Sequence, residues 1–138
     1  MCGNDIRKLK LAVVFQMTFV GMPCVFYGDE FGVTGVREYE YRQPMPWGRI
    51  DHPLYDFYSQ AVHLRNSEPA LRRGTFIRKG SDSALYVYSR EYGDDRITVA
   101  LNASSSALPY LTSAQKILLQ SEAENGMIGP YGFMITKG

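Results

Sequence analysis

Between Ile6 and Phe19, charged Arg7, Lys8 and Lys10 stand beside apolar Ile6 and Leu9 at helical spacing, and from Leu11 to Phe15 the chain turns apolar on every side. This pattern predicts a helix over 6–19, capped by Asn4 or Asp5, whose second half needs protein around it. Gly21 is placed to stop it and Pro23 forbids its continuation. Cys24-Val25-Phe26-Tyr27 is then a short apolar run with Gly21 before it and Gly28 after it, the signature of a fully buried strand in a parallel sheet. From Gly28 to Asp51 no period is sustained. A second amphipathic helix follows, capped by Asp51 with Pro53 in its first turn, carrying Leu54, Phe57, Tyr58, Ala61 and Leu64 on one face and ending before Glu68-Pro69. After Gly74 the pattern shortens to β-branched and aromatic runs. Ala84 to Ser89 and Ile97 to Leu101 form a hairpin across a Gly-Asp-Asp turn, and Gln115 to Leu119 and Phe133 to Thr136 add two strands. The chain reads as α+β, helix-strand-loop-helix followed by a small antiparallel sheet or sandwich, with the boundary near 72–74.

Composition narrows the function. At 138 residues the chain is too short for a complete eight-fold α/β barrel. Fifteen Lys and Arg against fourteen Asp and Glu leave a net charge of +1, so no general field draws nucleic acid or anionic lipid, and neither is expected as a partner. The apolar stretch from Leu11 to Phe26 is interrupted by Gln16, Thr18, Gly21 and Pro23, unlike a membrane span. Two cysteines, Cys2 and Cys24, make no disulfide framework.

The residues single out no catalyst. Asp29 and Glu30 follow the apolar run where α/β folds place ligands, yet neighbours on extended backbone point apart, so the pair does not supply the converging carboxyls of retaining glycoside hydrolysis. They serve a site or satisfy loop amides, with the second favoured. Glu38 to Trp47 gathers carboxylates, tyrosine hydroxyls, Arg42 and an indole around Pro44 and Pro46, a mixture that suits sugar hydroxyls and the apolar face of a pyranose; equally, Met45 and Trp47 anchor the loop and the charges are solvated. His52 and His63, eleven apart with no third ligand, make no zinc site and read as surface or capping residues. No metal and no cofactor are expected.

The string Gly21-x-Pro23-x-x-x-Tyr27-Gly28-Asp29-Glu30, with Arg42-x-Pro44-Met45-x-Trp47 and Leu64-Arg65 to Leu71-Arg72-Arg73-Gly74 in order behind it, resembles the α-amylase family of glycoside hydrolases, nearest its neopullulanase, cyclomaltodextrinase and maltogenic amylase branch. The resemblance implies that residues 1–73 are the last helix-strand-helix of a TIM (β/α)8 barrel and that 74–138 are the family's C-terminal β-sandwich domain. It implies the C-terminal portion of a retaining α-1,4-glucan hydrolase whose catalytic acids lie upstream, so that no catalytic residue is expected here. Arg42 matches a family arginine that contacts substrate, with Glu38 where the branch usually has Asp. Trp47 matches a packing position. Cytoplasmic localisation and an α-glucan partner follow from the same resemblance. The competing reading is a non-catalytic carbohydrate-binding module built on Tyr86, Tyr88, Tyr92 and Tyr110, or a structural β-domain. A barrel strand without neighbours has open edges, so 24–27 is expected either to drive self-association or contact with the missing barrel, or to pair with the chain's own β-domain.

Overall fold

A computed structural model describes residues 2, 5–49, 52–82 and 84–138. Helix α1 (Ile6–Thr18) begins where expected, Asp5 accepting the Arg7 amide at 2.9 Å, and ends one residue early. Phe19 is already extended, and Gly21 follows in the left-handed region at φ 104°. Asn4 and Asp51 lie outside the described residues. His52 performs the capping expected of Asp51: its ring Nδ1 accepts the Leu54 amide at the start of α3 (Pro53–Ser67). Two short helices, α2 (Glu38–Tyr41) and α4 (Pro69–Arg73), complete the helical part, with single 3₁₀ turns at Asp29–Phe31 and Trp47–Arg49.

The remaining chain is one antiparallel sheet of β1 (Thr75–Asp82), β2 (Leu85–Tyr92), β3 (Asp95–Asn102), β4 (Leu108–Pro109), β5 (Lys116–Glu124) and β6 (Met127–Lys137), ordered β1-β2-β3-β6-β4 with β5 on the other side of β6. Strand β1 carries Arg78, Lys79 and Gly80 within TFIRKGSD, so no clean alternation marks it in sequence; its ladder with β2 supplies the definition. The β2–β3 turn has Gly93 at φ 58°, and the β5–β6 turn pairs Asn125 and Gly126 at φ 50° and 74°. Two-residue turns of this kind match the twist of the strands they join.

Val99 lies opposite Tyr88 on one side and Ile135 on the other, and these three face the helices with Ile97, Leu101 and Phe133. Val13, Val14 and Met17 of α1, and Leu54, Phe57, Tyr58 and Ala61 of α3, close over them in a single buried cluster. The opposite sheet face buries Ala100, Ala123, Ile128 and Met134, because register shifts in β5 beside Leu119 and Ala123 curl the sheet over itself. The expected sandwich is therefore one curled sheet with a helical layer on its outer side.

The expected strand at Cys24–Tyr27 does not form. The segment pairs with no strand among the described residues, and all four of its residues are exposed. Part of its hydrogen-bonding capacity is taken locally: Cys24 C=O accepts from the Gln16 side-chain Nε2 at 2.6 Å, and Phe26 N–H donates to the Asp29 carboxylate while Phe26 C=O accepts the Asp29 backbone N–H. Pairing with the chain's own β-domain is thus not realised. No helix among the described residues is long and apolar enough to cross a membrane.

Candidate functional site

Asp29 and Glu30 turn out to brace their own loop. Asp29 accepts the Phe26 amide at 3.2 Å and Glu30 the Gly28 amide at 2.9 Å, which holds the turn in which Gly28 sits at φ 92°. Burial, and secondarily the neighbouring Glu30 charge, push the Asp29 carboxyl above its ordinary range, against the pull of the Phe26 amide. The nearby Tyr58 phenol is pushed up to about 12 by burial and by both carboxylates. A cleft of about 810 Å³ lies between the first turn of α1 and the 31–36 loop, with Asp5, Asp29, Glu40 and His52 among its walls. Among the described residues no three metal-binding side chains gather.

The second candidate is the loop carrying α2. Glu38 and Arg42 stand one helical turn apart and meet at 3.0 Å between Glu38 Oε1 and Arg42 Nη1, with 65% and 62% of their side chains exposed. A solvated pair of this kind contributes only about 0.3–0.5 kcal/mol. It is weak as a brace, but it presents a planar fork of donors beside a carboxylate to solvent. Tyr39 is exposed, its hydroxyl accepting from Arg37 at 3.1 Å, and Trp47 is 70% exposed. Trp47 therefore does not pack against the body of this chain, whereas Met45 is half-buried. Glu40, the least exposed residue of α2, reaches back to accept the amides of Val36 at 2.7 Å and Arg37 at 2.9 Å. Those two amides hold its carboxyl below the usual range.

The aromatic residues proposed for a sugar-binding module divide. Tyr88 is wholly buried, packs against Phe15, Phe19 and Phe76, and hydrogen-bonds Thr18; Tyr86 packs on the same cluster. Neither Tyr88 face is open to a sugar. Tyr92 is exposed and Tyr110 half-buried. His63 is a surface residue bonded to the Ser59 backbone.

Two arginines bind the end of α1: Arg65, which the sequence marked only within a family string, and Arg90, which it did not mark. The final carbonyls of a helix have no partners within it and carry its negative dipole end. Arg65 of α3 donates to Met17 and Phe19 C=O at 2.6 and 3.2 Å and also to Gly21 C=O, while Arg90 of β2 donates to Thr18 and Phe19 C=O at 2.9 and 3.0 Å and to Gly74 C=O at 2.8 Å. Both are buried, and burial lowers the pKa of each. No local pattern marks Arg90, since it lies between Ser89 and Glu91 in a strand that reads as ordinary.

No protein-family model matches the chain. Individual proteins do. A cyclomaltodextrinase of Geobacillus thermopakistaniensis (strain MAS1) is 32% identical over 152 residues, covering 98% of this chain and 26% of that enzyme. Neopullulanase 2 of Thermoactinomyces vulgaris is 36% identical over 105 residues, covering 73% and 18%. The crystal structure of a maltogenic amylase from S. marinus superposes with a TM-score of 0.84 at 28% identity, covering 95% of this chain and 19% of that one. The chain thus spans about a quarter or less of the length of these relatives, and its antiparallel sheet matches their C-terminal domain. Similarity along nearly the whole chain, in sequence and in backbone, makes it a member of the α-amylase family of glycoside hydrolases, corresponding to the C-terminal part of its cyclomaltodextrinase, neopullulanase and maltogenic amylase branch.

Proposed function

We propose that this chain is the C-terminal portion of a retaining α-1,4-glucan hydrolase and is catalytically silent alone, the nucleophile and the acid/base of that mechanism being supplied by sequence upstream. In this reading residues 1–73 are the last helix-strand-helix of a (β/α)8 barrel, with 24–27 as its final strand, and 74–138 are the β-domain that supports it. Arg42 and Glu38 bind glucan hydroxyls, and the protein works in the cytoplasm. The observation that carries the reading is the apolar segment Cys24–Tyr27, exposed and joined to no strand among the described residues. Four such residues are costly in water and suit a neighbouring strand, from the missing barrel or, in its absence, from a second copy.

The test is to assay residues 1–138 on maltoheptaose, pullulan and β-cyclodextrin alone, and again when fused behind the upstream barrel of the Geobacillus cyclomaltodextrinase. Hydrolysis by the fusion only is expected. Hydrolysis by the lone chain overturns the reading, as does a silent fusion when the relative's own C-terminal part restores activity in the same arrangement. The alternative of a purely structural β-domain draws on one observation: Tyr88 and Arg90 face inward onto α1 and leave the sheet no aromatic platform there. It predicts that Arg42→Ala changes no substrate affinity in the fusion.

A further inference from the structure

We propose that Glu40, backed by Gly35, is the positioning residue of the Glu38–Arg42 pair, an inference that rests on the sugar-binding reading of that pair. A four-residue helix does not persist unaided, since nucleation fixes several residues for one hydrogen bond. Helix α2 is held at its ends by the Arg42 N–H to Glu38 C=O bond at 3.0 Å and the Glu40 N–H to Arg37 C=O bond at 2.9 Å, and buries none of its residues. Its cap position is held by Arg37, where Ser, Thr, Asp or Asn is usual. The exposed ion pair is too weak to supply the difference.

What remains is Glu40. One carboxylate oxygen accepts both the Val36 and the Arg37 amides, the backward reach of a capping box, and so ties the incoming loop to the third residue of the helix. Gly35 makes this approach available. A Cβ at Gly35 would run into the Glu40 side chain and into the backbone of Glu40 and Tyr41, so loop and helix lie in direct contact there. With Glu40 turned inward to the loop amides, Glu38 and Arg42 are left together on the solvent side, separated by one turn. A fixed separation is what a pair needs to meet two hydroxyls of one sugar without first ordering itself.

The experiment compares wild type with Glu40→Ala, Glu40→Gln, Gly35→Ala and Arg42→Ala by amide hydrogen exchange and by maltoheptaose titration followed through Trp47 fluorescence. Gln keeps the carbonyl oxygen that accepts both amides. Glu40→Ala and Gly35→Ala are expected to speed exchange at the Arg42 amide by about tenfold or more and to weaken maltoheptaose as far as Arg42→Ala does, with the melting temperature unchanged; Glu40→Gln should restore both. An Arg42 amide that already exchanges freely in wild type, or one unmoved by Glu40→Ala, overturns the clamp. Arg42→Ala losing the sugar while Glu40→Ala keeps it overturns the positioning role. If wild type and Arg42→Ala titrate alike, the sugar-binding reading of the pair fails, and exchange still decides whether Glu40 holds the helix.

Discussion

Replacing Arg90 by methionine keeps most of the buried side-chain volume and removes the donors that join β2 to the end of α1. Arg90 is 2% exposed, and its two terminal nitrogens donate to Thr18, Phe19 and Gly74 carbonyls. Phe19 keeps a donor in Arg65 at 3.2 Å, so the cost falls on Thr18 and Gly74. Leaving the buried Thr18 carbonyl without its partner costs about 1–3 kcal/mol, and the half-buried Gly74 carbonyl about 1 kcal/mol. Losing the positive charge at a partly buried helix end adds up to about 2 kcal/mol. Against this, methionine avoids the desolvation of the guanidinium, a term of several kcal/mol, made worse here by the nearby Arg65 charge, which acts with burial to lower the Arg90 pKa. With the relieved desolvation set against these terms, the net loss is about 1–3 kcal/mol, a sizeable part of the roughly 5–15 kcal/mol of an ordinary domain. Urea unfolding should show the midpoint falling by about 0.5–1.5 M at an unchanged slope of about 2 kcal/mol/M. Arg65→Met should behave alike, and the double variant should lose more than the sum, since the repulsion between the two guanidiniums is relieved in each single variant but only once in the double, and Phe19 C=O keeps a donor in either single variant but in the double loses both. A midpoint for Arg90→Met within about 0.3 M of wild type would refute the claim that these carbonyls depend on Arg90.

Gly74→Ala places a Cβ against the carbonyl of Ala70 and the backbone of Glu91, so it should destabilise by about 1–3 kcal/mol in the same urea assay, whereas Gly80→Ala, with open space around it, should stay within about 0.5 kcal/mol. The Asp5 carboxyl is lowered to about 2, chiefly by its hydrogen bonds to Arg7, and a group depressed on folding contributes only while it is ionised. Its support of α1 should therefore be full above the ordinary carboxylate pKa and fade as pH falls toward 2, read from the Arg7 amide shift by NMR and absent in Asp5→Ala. Lys137 sits 2.6 Å from Glu68 and 2.8 Å from Asp95, whose Oδ2 also accepts the Ala70 amide; Lys137→Met should cost about 1 kcal/mol in low salt and less in high salt by thermal unfolding.

Local pattern was enough for α1, α3 and the β2–β3 hairpin, because helical spacing, capping residues and turn glycines act within a few residues of one another, whereas of β5 and β6 it marked only 115–119 and 133–136 and not the 120–132 stretch that carries the turn and the rest of their ladder. The family likeness was legible for the same reason, in short ordered strings around Tyr27 to Glu30, Arg42 to Trp47 and Leu64 to Gly74. Pairing was not. Whether Cys24–Tyr27 is a strand depends on a neighbour to ladder with, and an apolar run reads alike whether that neighbour is present or missing. Strand β1 is the converse: its irregular TFIRKGSD becomes a strand because β2 lies beside it. The turning of Tyr88 and Arg90 inward belongs to the same class. A tyrosine and an arginine on a strand have no preferred side until the end of α1, some seventy residues earlier in the chain, arrives with a Thr18 hydroxyl to bond Tyr88 and a Thr18 carbonyl to accept from Arg90.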